Sequence, residues 1–207
     1  MGAINRFNLD ELIEKFNLKY FFETGTLRGE GVDYALASKF EKVFSIEIEE
    51  DTYKQAEHKY KNNNRVKIIF GDSSKLMTQI VEQLPGNTLF WLDAHFPGAD
   101  VGIRTYRSCL DMNYDTRLPL ETELTAIASR SKKYKDVIIA DDLWIYKDGE
   151  FGAGTVDKHC AAHGHNITKL EIAEGKDIKF AYDLFSKTHE LREFTPDQGY
   201  LVIHPKQ

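Results

Sequence analysis

The chain has 207 residues, 42% of them hydrophobic and 29% charged, and a formal net charge of −6. That length suits one domain with a real core. No apolar run approaches the ~18–20 residues that cross a bilayer, and an acidic balance with scattered lysines counts against a nucleic-acid partner. The opening stretch MGAINRFNLDELIEKF has no basic segment followed by an apolar run, and Arg6 stands where a myristoylation signal needs Ser or Thr. Cys109 and Cys160 form no disulfide framework, so a cytosolic chain with no membrane partner is expected.

Along the chain, Leu9, Leu12, Ile13 and Phe16 recur at helical spacing in residues 8–18, and KYFFETG then reads as a buried strand. Residues 30–40 place Val32, Ala35, Leu36 and Phe40 on one helical face, and KVFSIEIEE (42–50) returns to a β-branched and aromatic run. The alternation continues through helix 50–63, strand 65–72, helix 73–84, strand 88–96, helix 120–134 and strand 136–143. Five strands alternating with helices predict a parallel sheet covered on both faces. DIKFAYDLF (177–185) and GYLVIHP (199–205) read as two more strands with no helix between them, an antiparallel edge. There is no repeat or linker, and a single domain over 1–207 is expected. Two irregular stretches, 97–119 and 144–166, fall above the carboxyl ends of strands, where open α/β sheets bind ligands.

The turn after the first strand, FFETGTLRGEG, carries Gly25, Gly29 and Gly31, which let a ligand approach the main chain. Its G-x-x-x-G-x-G spacing differs from the G-x-G-x-x-G that seats a pyrophosphate on a helix, which disfavours a dinucleotide. Glu47 ends the second strand, where an acid accepts both hydroxyls of a ribose. Glu49 points to the same face, and Glu47, nearer the apolar run, is preferred. Asp72 and Ser73 end the third strand, where they meet an adenine edge.

At ETGTLRGEG, VFSIEIEEDTY, VKIIFGDS, LFWLDAHF and VIIADDL, across roughly residues 20 to 145, the chain resembles the class I S-adenosylmethionine-dependent methyltransferases. The resemblance implies a Rossmann-like fold with a mostly parallel seven-stranded sheet and an antiparallel edge strand. It also implies S-adenosylmethionine as cofactor. By that resemblance Glu23, Thr24, Gly25, Thr26, Gly29 and Gly31 cradle the methionine part. Glu47 and Ile48 take the ribose, Asp72 and Ser73 approach the adenine, and Asp93 lies beside the cofactor.

Asp93 closes the fourth strand and Asp141 and Asp142 the fifth. Neighbouring strand ends lie ~4.8 Å apart, so the three carboxylates converge. A divalent cation relieves their repulsion, and an all-oxygen set suits Mg²⁺ or Mn²⁺. The pattern is similar to the metal-dependent catechol and macrocin-type sugar O-methyltransferases, and the Asp-Asp pair leans towards the sugar-modifying group. His95 is placed to take the hydroxyl proton, with Asp93 as its companion. The lysine that catechol-type enzymes carry just after this motif is Phe96 here. DKHCAAHGH (157–165) sets His159 and His163 at i, i+4, but no second cysteine pair supports a zinc site, and a substrate-facing loop is the better reading. Trp144, Tyr146 and Tyr106 fall in the irregular stretches as candidates to stack on a sugar ring.

The function expected is metal-assisted O-methylation of a hydroxyl, foremost on a sugar of a glycan or glycosylated small molecule. A dinucleotide-dependent oxidoreductase or nucleotide-sugar enzyme is the competing reading, and a catechol-type small-molecule O-methyltransferase the nearest variant.

Overall fold

The computed structural model describes residues 3–206. Its elements, in order, are α1 (Leu9–Phe16), β1 (Tyr20–Thr24), α2 (Glu30–Ala37), β2 (Lys42–Glu47), α3 (Glu50–Tyr60), β3 (Val66–Phe70), α4 (Ser73–Gln83) and β4 (Thr88–Leu92). The short α5 (Tyr106–Cys109) and α6 (Tyr114–Arg117) precede α7 (Leu120–Ala128) and β5 (Val137–Ala140). After these come α8 (Val156–Ala162), α9 (Lys169–Ala173), α10 (Lys179–Phe185), β6 (His189–Phe194) and β7 (Tyr200–Pro205). The strands form one seven-stranded sheet in the order β3-β2-β1-β4-β5-β7-β6. Pairings from β3 to β5 are parallel, and β7 runs antiparallel to both its neighbours. This is the Rossmann-like methyltransferase architecture, with the antiparallel edge the sequence predicts.

Side chains alternate across a strand, so each central strand feeds two cores. Phe21, Val43, Leu89, Trp91 and Ile139 face α1 and α2, whereas Phe22, Ile46, Phe90, Leu92 and Ile138 pack with residues of α4 and α7 on the other face. α1 starts where the Asn8 side chain accepts the Glu11 N–H, and stops at Asn17 in the left-handed conformation. α4 starts on Asp72 in the same way.

The sheet's far edge departs from the sequence reading. Residues 177–185, expected as a strand, contain α10, and the strand is the polar HELREF that follows. Over so short a run both periods fit. Ile178, Phe180, Tyr182 and Leu184 alternate, while Ile178, Ala181 and Phe185 lie on one helical face. Helix wins because Ile178, Ala181 and Phe185 are buried and Leu184 is left exposed. β6 is an edge strand held by a six-residue register to β7, a pairing that local pattern does not encode.

A polar pin at the amino ends of the strands, away from the ligand-binding ends, holds this frame. The buried Arg130 guanidinium donates from Nε to Asp136 at 2.7 Å and to the carbonyls of Leu84 (3.1 Å) and Gly86 (2.6 Å), and Asp136 Oδ1 also accepts the Thr88 N–H at 2.8 Å. These bonds tie the starts of β4 and β5 to the end of α4.

Candidate functional site

The order reverses between β1 and β4, and the crevice at such a switch point is where doubly wound sheets take ligands. The hydrogen-bond ladder continues past the strand ends. Gly25 N–H reaches Ile46 O (3.0 Å), Asp93 N–H reaches Thr24 O (3.2 Å), and Asp141 N–H reaches Leu92 O (3.0 Å). Gly25, Asp93 and Asp141 are thereby brought level at one rim. Gly25 has φ +87°, and a Cβ there would sit 2.7 Å from the Asp93 carbonyl oxygen. A Cβ on Gly31 would lie 1.8 Å from Glu23 Oε1. These two glycines serve chain packing around the crevice as well as openness.

Glu23, Gly25, Thr26, Gly31 and Asp93 line one cavity at this rim, together with Leu27, Glu30 and Asp33. The Glu23 carboxyl is buried and pushed up to about 8 by desolvation, against a 2.5 Å hydrogen bond from the Ser45 hydroxyl that favours its charged form. Thr26 shares a 2.7 Å hydrogen bond with Ser45 and is itself buried, so its hydroxyl belongs to the frame. Thr24 is buried too, and its hydroxyl has no partner. Gly29 lies outside the cavity lining and caps α2, where the Tyr60 hydroxyl donates to its carbonyl at 2.9 Å.

A narrower pocket beside it is lined by Ile46, Glu47, Ile48, Gly71, Asp72 and Ser73, with residues 93–98 and Thr116 opposite. Each Glu47 oxygen accepts one main-chain N–H, from Glu49 to Oε1 and from Leu27 to Oε2, both at 2.9 Å. The carboxylate is thus fixed in orientation with a lone pair free on each oxygen, the geometry for two vicinal hydroxyls. Asp72 differs. Its Oδ1 accepts the Ser74 N–H (3.0 Å) and hydroxyl (2.6 Å), and its Oδ2 accepts the Thr116 hydroxyl (2.8 Å) and pairs with Lys75 (3.0 Å). Burial would raise this carboxyl, but those hydrogen bonds outweigh it and hold it below its usual value. Its acceptor capacity is filled, so in this arrangement Asp72 holds the loop around Thr116.

At the ends of β4 and β5 the three acids singled out from sequence come together, and two of them, Asp142 and Asp93, flank His95. Nε2 lies 2.5 Å from Asp142 Oδ2 and Nδ1 lies 3.4 Å from Asp93 Oδ1. Asp142 adopts a left-handed conformation, φ 56°, and its N–H donates to Asp141 Oδ1 at 2.8 Å. Burial alone would lower the imidazole, but Asp142 through charge and hydrogen bond, with Asp93, carries it well above its ordinary value. Asp93 and Asp141 are both raised, by burial first and then by neighbouring aspartates. The predicted acids do meet, yet the positive charge among them is the imidazole. Among the described residues no three His, Cys, Asp or Glu side chains are arranged to hold an ion.

Glu123, which sequence reasoning missed, reaches this cluster from α7. It is buried, its Oε1 has no partner within hydrogen-bonding geometry, and desolvation pushes it up to about 7 against the neighbouring Ser73 and Thr24 hydroxyls, which favour its charged form. Together with His95, Asp141, Asp142 and Tyr146 it lines a small internal cavity. The signal was present: in LETELTAIA it sits beside Leu124 on the stripe that Leu120 and Ile127 continue, a charge on an apolar face.

On the other side of His95 and Asp93 opens a cavity of about 240 Å³, whose walls include Tyr106, Trp144, His159, His163 and His165. Tyr106 packs on Phe96 (ring centroids 5.3 Å) and on His165 (4.8 Å), and Trp144 packs on His159 (5.1 Å). Both irregular stretches therefore fold over one chamber. Tyr146 turns away from it and is buried against Phe180.

Neither family models nor characterised protein sequences match the chain. Solved structures do. A methyltransferase from Podospora anserina bound to S-adenosylhomocysteine superposes with a TM-score of 0.59 at 14% identity, covering 96% of this chain and 76% of its own. An O-methyltransferase from Bacillus cereus, also with S-adenosylhomocysteine, gives 0.56 at 16% identity over 96% and 79%. A protein from Staphylococcus aureus described as a putative caffeoyl-CoA O-methyltransferase gives 0.54 at 14% over 100% and 85%. At such identities the likeness is one of fold: this chain has the class I methyltransferase fold.

Proposed function

We propose that the chain is a one-domain S-adenosylmethionine-dependent O-methyltransferase that methylates a hydroxyl of a small-molecule acceptor, a sugar ring foremost. The observation that carries this reading is the His95–aspartate cluster standing where the glycine-lined crevice meets the aromatic-walled cavity, on this fold. Glu47 takes the ribose hydroxyls through its free lone pairs, and Ile48 and Ser73 border the adenosine. Glu23, with Gly25 and Gly31 beside it, faces the methionine ammonium. When that cation arrives, the Glu23 carboxyl ionises against it.

The acceptor hydroxyl enters from the 240 Å³ cavity towards His95. S-adenosylmethionine, when bound, would supply a sulfonium methyl group to that oxygen and leave as S-adenosylhomocysteine. The hydroxyl proton passes to neutral His95. The products are a methyl ether, S-adenosylhomocysteine and an imidazolium held by Asp142 and Asp93. A raised imidazole is the stronger base once neutral. The same acids keep it protonated at neutral pH, so turnover climbs as the medium becomes alkaline.

Mg²⁺ or Mn²⁺ on Asp93, Asp141 and Asp142 was the expectation from sequence, and the side chains as placed do not fit it. Two of the acids face His95 and the third is turned to the Asp142 N–H. No step here relies on a metal. Titration calorimetry with S-adenosylmethionine tests the cofactor assignment, and turnover with and without EDTA tests the metal. Absence of cofactor binding would remove the reading, whereas EDTA-sensitive turnover would restore the ion.

A further inference from the structure

The acceptor cavity has a one-sided electrical character. Four acidic side chains line it, Asp93, Asp100, Asp141 and Asp142, and neither lysine nor arginine does. The arginines of the nearby loop are engaged elsewhere: Arg104 with Glu49, and Arg107 with Glu171 at 2.7 Å. His95 is already shared between Asp93 and Asp142. His159 is held in its neutral form by burial and by His163, whose ring centroid lies 4.1 Å away. An anionic group in this chamber would be desolvated beside these acids with no lysine or arginine to pair with, the costly case for buried ions. A cation meets the reverse. The faces of Trp144 and Tyr106 attract it, and Asp100, which accepts the Tyr106 hydroxyl, keeps its other oxygen for it. The volume, below the ~300–1,000 Å³ of sites for drug-sized ligands, suits one ring.

We propose that the acceptor is a single-ring hydroxyl compound without negative charge, best recognised when it carries a protonated amine, its ring against Trp144 and Tyr106 and its ammonium towards Asp100. Sugar phosphates, nucleotide sugars, uronates and coenzyme A thioesters are rejected by the same charges. This rests on the methyltransferase reading and deepens it.

The test is binding to the protein loaded with S-adenosylhomocysteine, across two charge series on a constant ring. One series is methyl glucoside, glucosamine and glucose 6-phosphate; the other is catechol, dopamine and protocatechuate. The chain has two tryptophans, Trp144 on this cavity and Trp91 on the cofactor side, so at constant S-adenosylhomocysteine the ring-dependent change in fluorescence is read from Trp144, with Trp144→Phe as the control for the signal. Within at least one series the amine is expected to bind at least threefold tighter than the neutral ring, and the anion at least tenfold weaker. Asp100→Asn is expected to halve the amine's advantage over the neutral ring or more, read as a ratio because Asp100 also anchors the Tyr106 hydroxyl. Equal binding of anion and neutral ring in both series overturns the proposal, as does failure of every ring to bind once S-adenosylhomocysteine is seated. Failure of S-adenosylhomocysteine itself to bind overturns the methyltransferase reading instead.

Discussion

The two ends of β4 and β5 hold buried charge in opposite ways. At their starts, Asp136 is lifted by burial and pulled back by Arg130, and each of its oxygens is hydrogen-bonded to the guanidinium or to the Thr88 N–H. At their finishes, Asp93 and Asp142 share a single imidazole, Asp141 is turned to the Asp142 N–H, and the buried Glu123 Oε1 has no partner. A satisfied ion pair fixes geometry. An under-satisfied set holds protons loosely, and groups so perturbed gather where chemistry is done.

Four changes would break or sharpen that contrast. His95→Ala removes the proposed base and should lower turnover by about 10²–10⁴-fold with cofactor affinity nearly intact, read by single-turnover methyl transfer. Equal activity would move the chemistry away from the under-satisfied end. In the wild type, turnover should rise with pH beyond the ordinary imidazole range, since the aspartates retain the proton until then. Next, Arg130→Met strands buried Asp136 and should cost about 3–5 kcal/mol of unfolding free energy in a urea titration; a neutral result would show that the closed end is not a structural pin. Glu47→Gln replaces one acceptor oxygen by a donor and should weaken S-adenosylmethionine by about tenfold, the order of a hydrogen bond to a charged group, by calorimetry.

The smallest effect concerns pH. Glu123 folds with its carboxyl raised to about 7, and Glu23 with its own raised to about 8. Between the ordinary glutamate range and those values the folded chain holds more protons than the unfolded one. Cofactor-free stability should therefore fall as pH rises from about 5 to about 8. Glu123→Gln should raise the melting temperature by a few degrees at pH 8 and little at pH 5. Binding of the ammonium-bearing cofactor, which needs ionised Glu23, should strengthen over the same interval.

Most of the architecture up to β5 was legible because its signals are local. Apolar residues recur every three or four positions in α1 and α2, and β-branched runs follow in β1 and β2. The glycines and acids fall at the turns between them. The sixth strand was not legible, since DIKFAYDLF satisfies helix and strand periods alike and HELREF owes its conformation to a partner strand. Aspartates at the ends of β4 and β5 were bound to meet once those strands were neighbours.

Sequence by itself determined the alternation of strands and helices up to β5, the crevice at the switch point and most of the residues gathered there, because hydrophobic period and turn chemistry act over a few residues. Only the tertiary structure decided how their hydrogen-bonding capacity is used. Asp72 is filled by Ser74, Lys75 and Thr116, Glu47 keeps a lone pair on each oxygen, and His95 takes the place among the aspartates where an ion was expected. Such choices depend on side chains brought together from distant segments, and on the water that their packing removes.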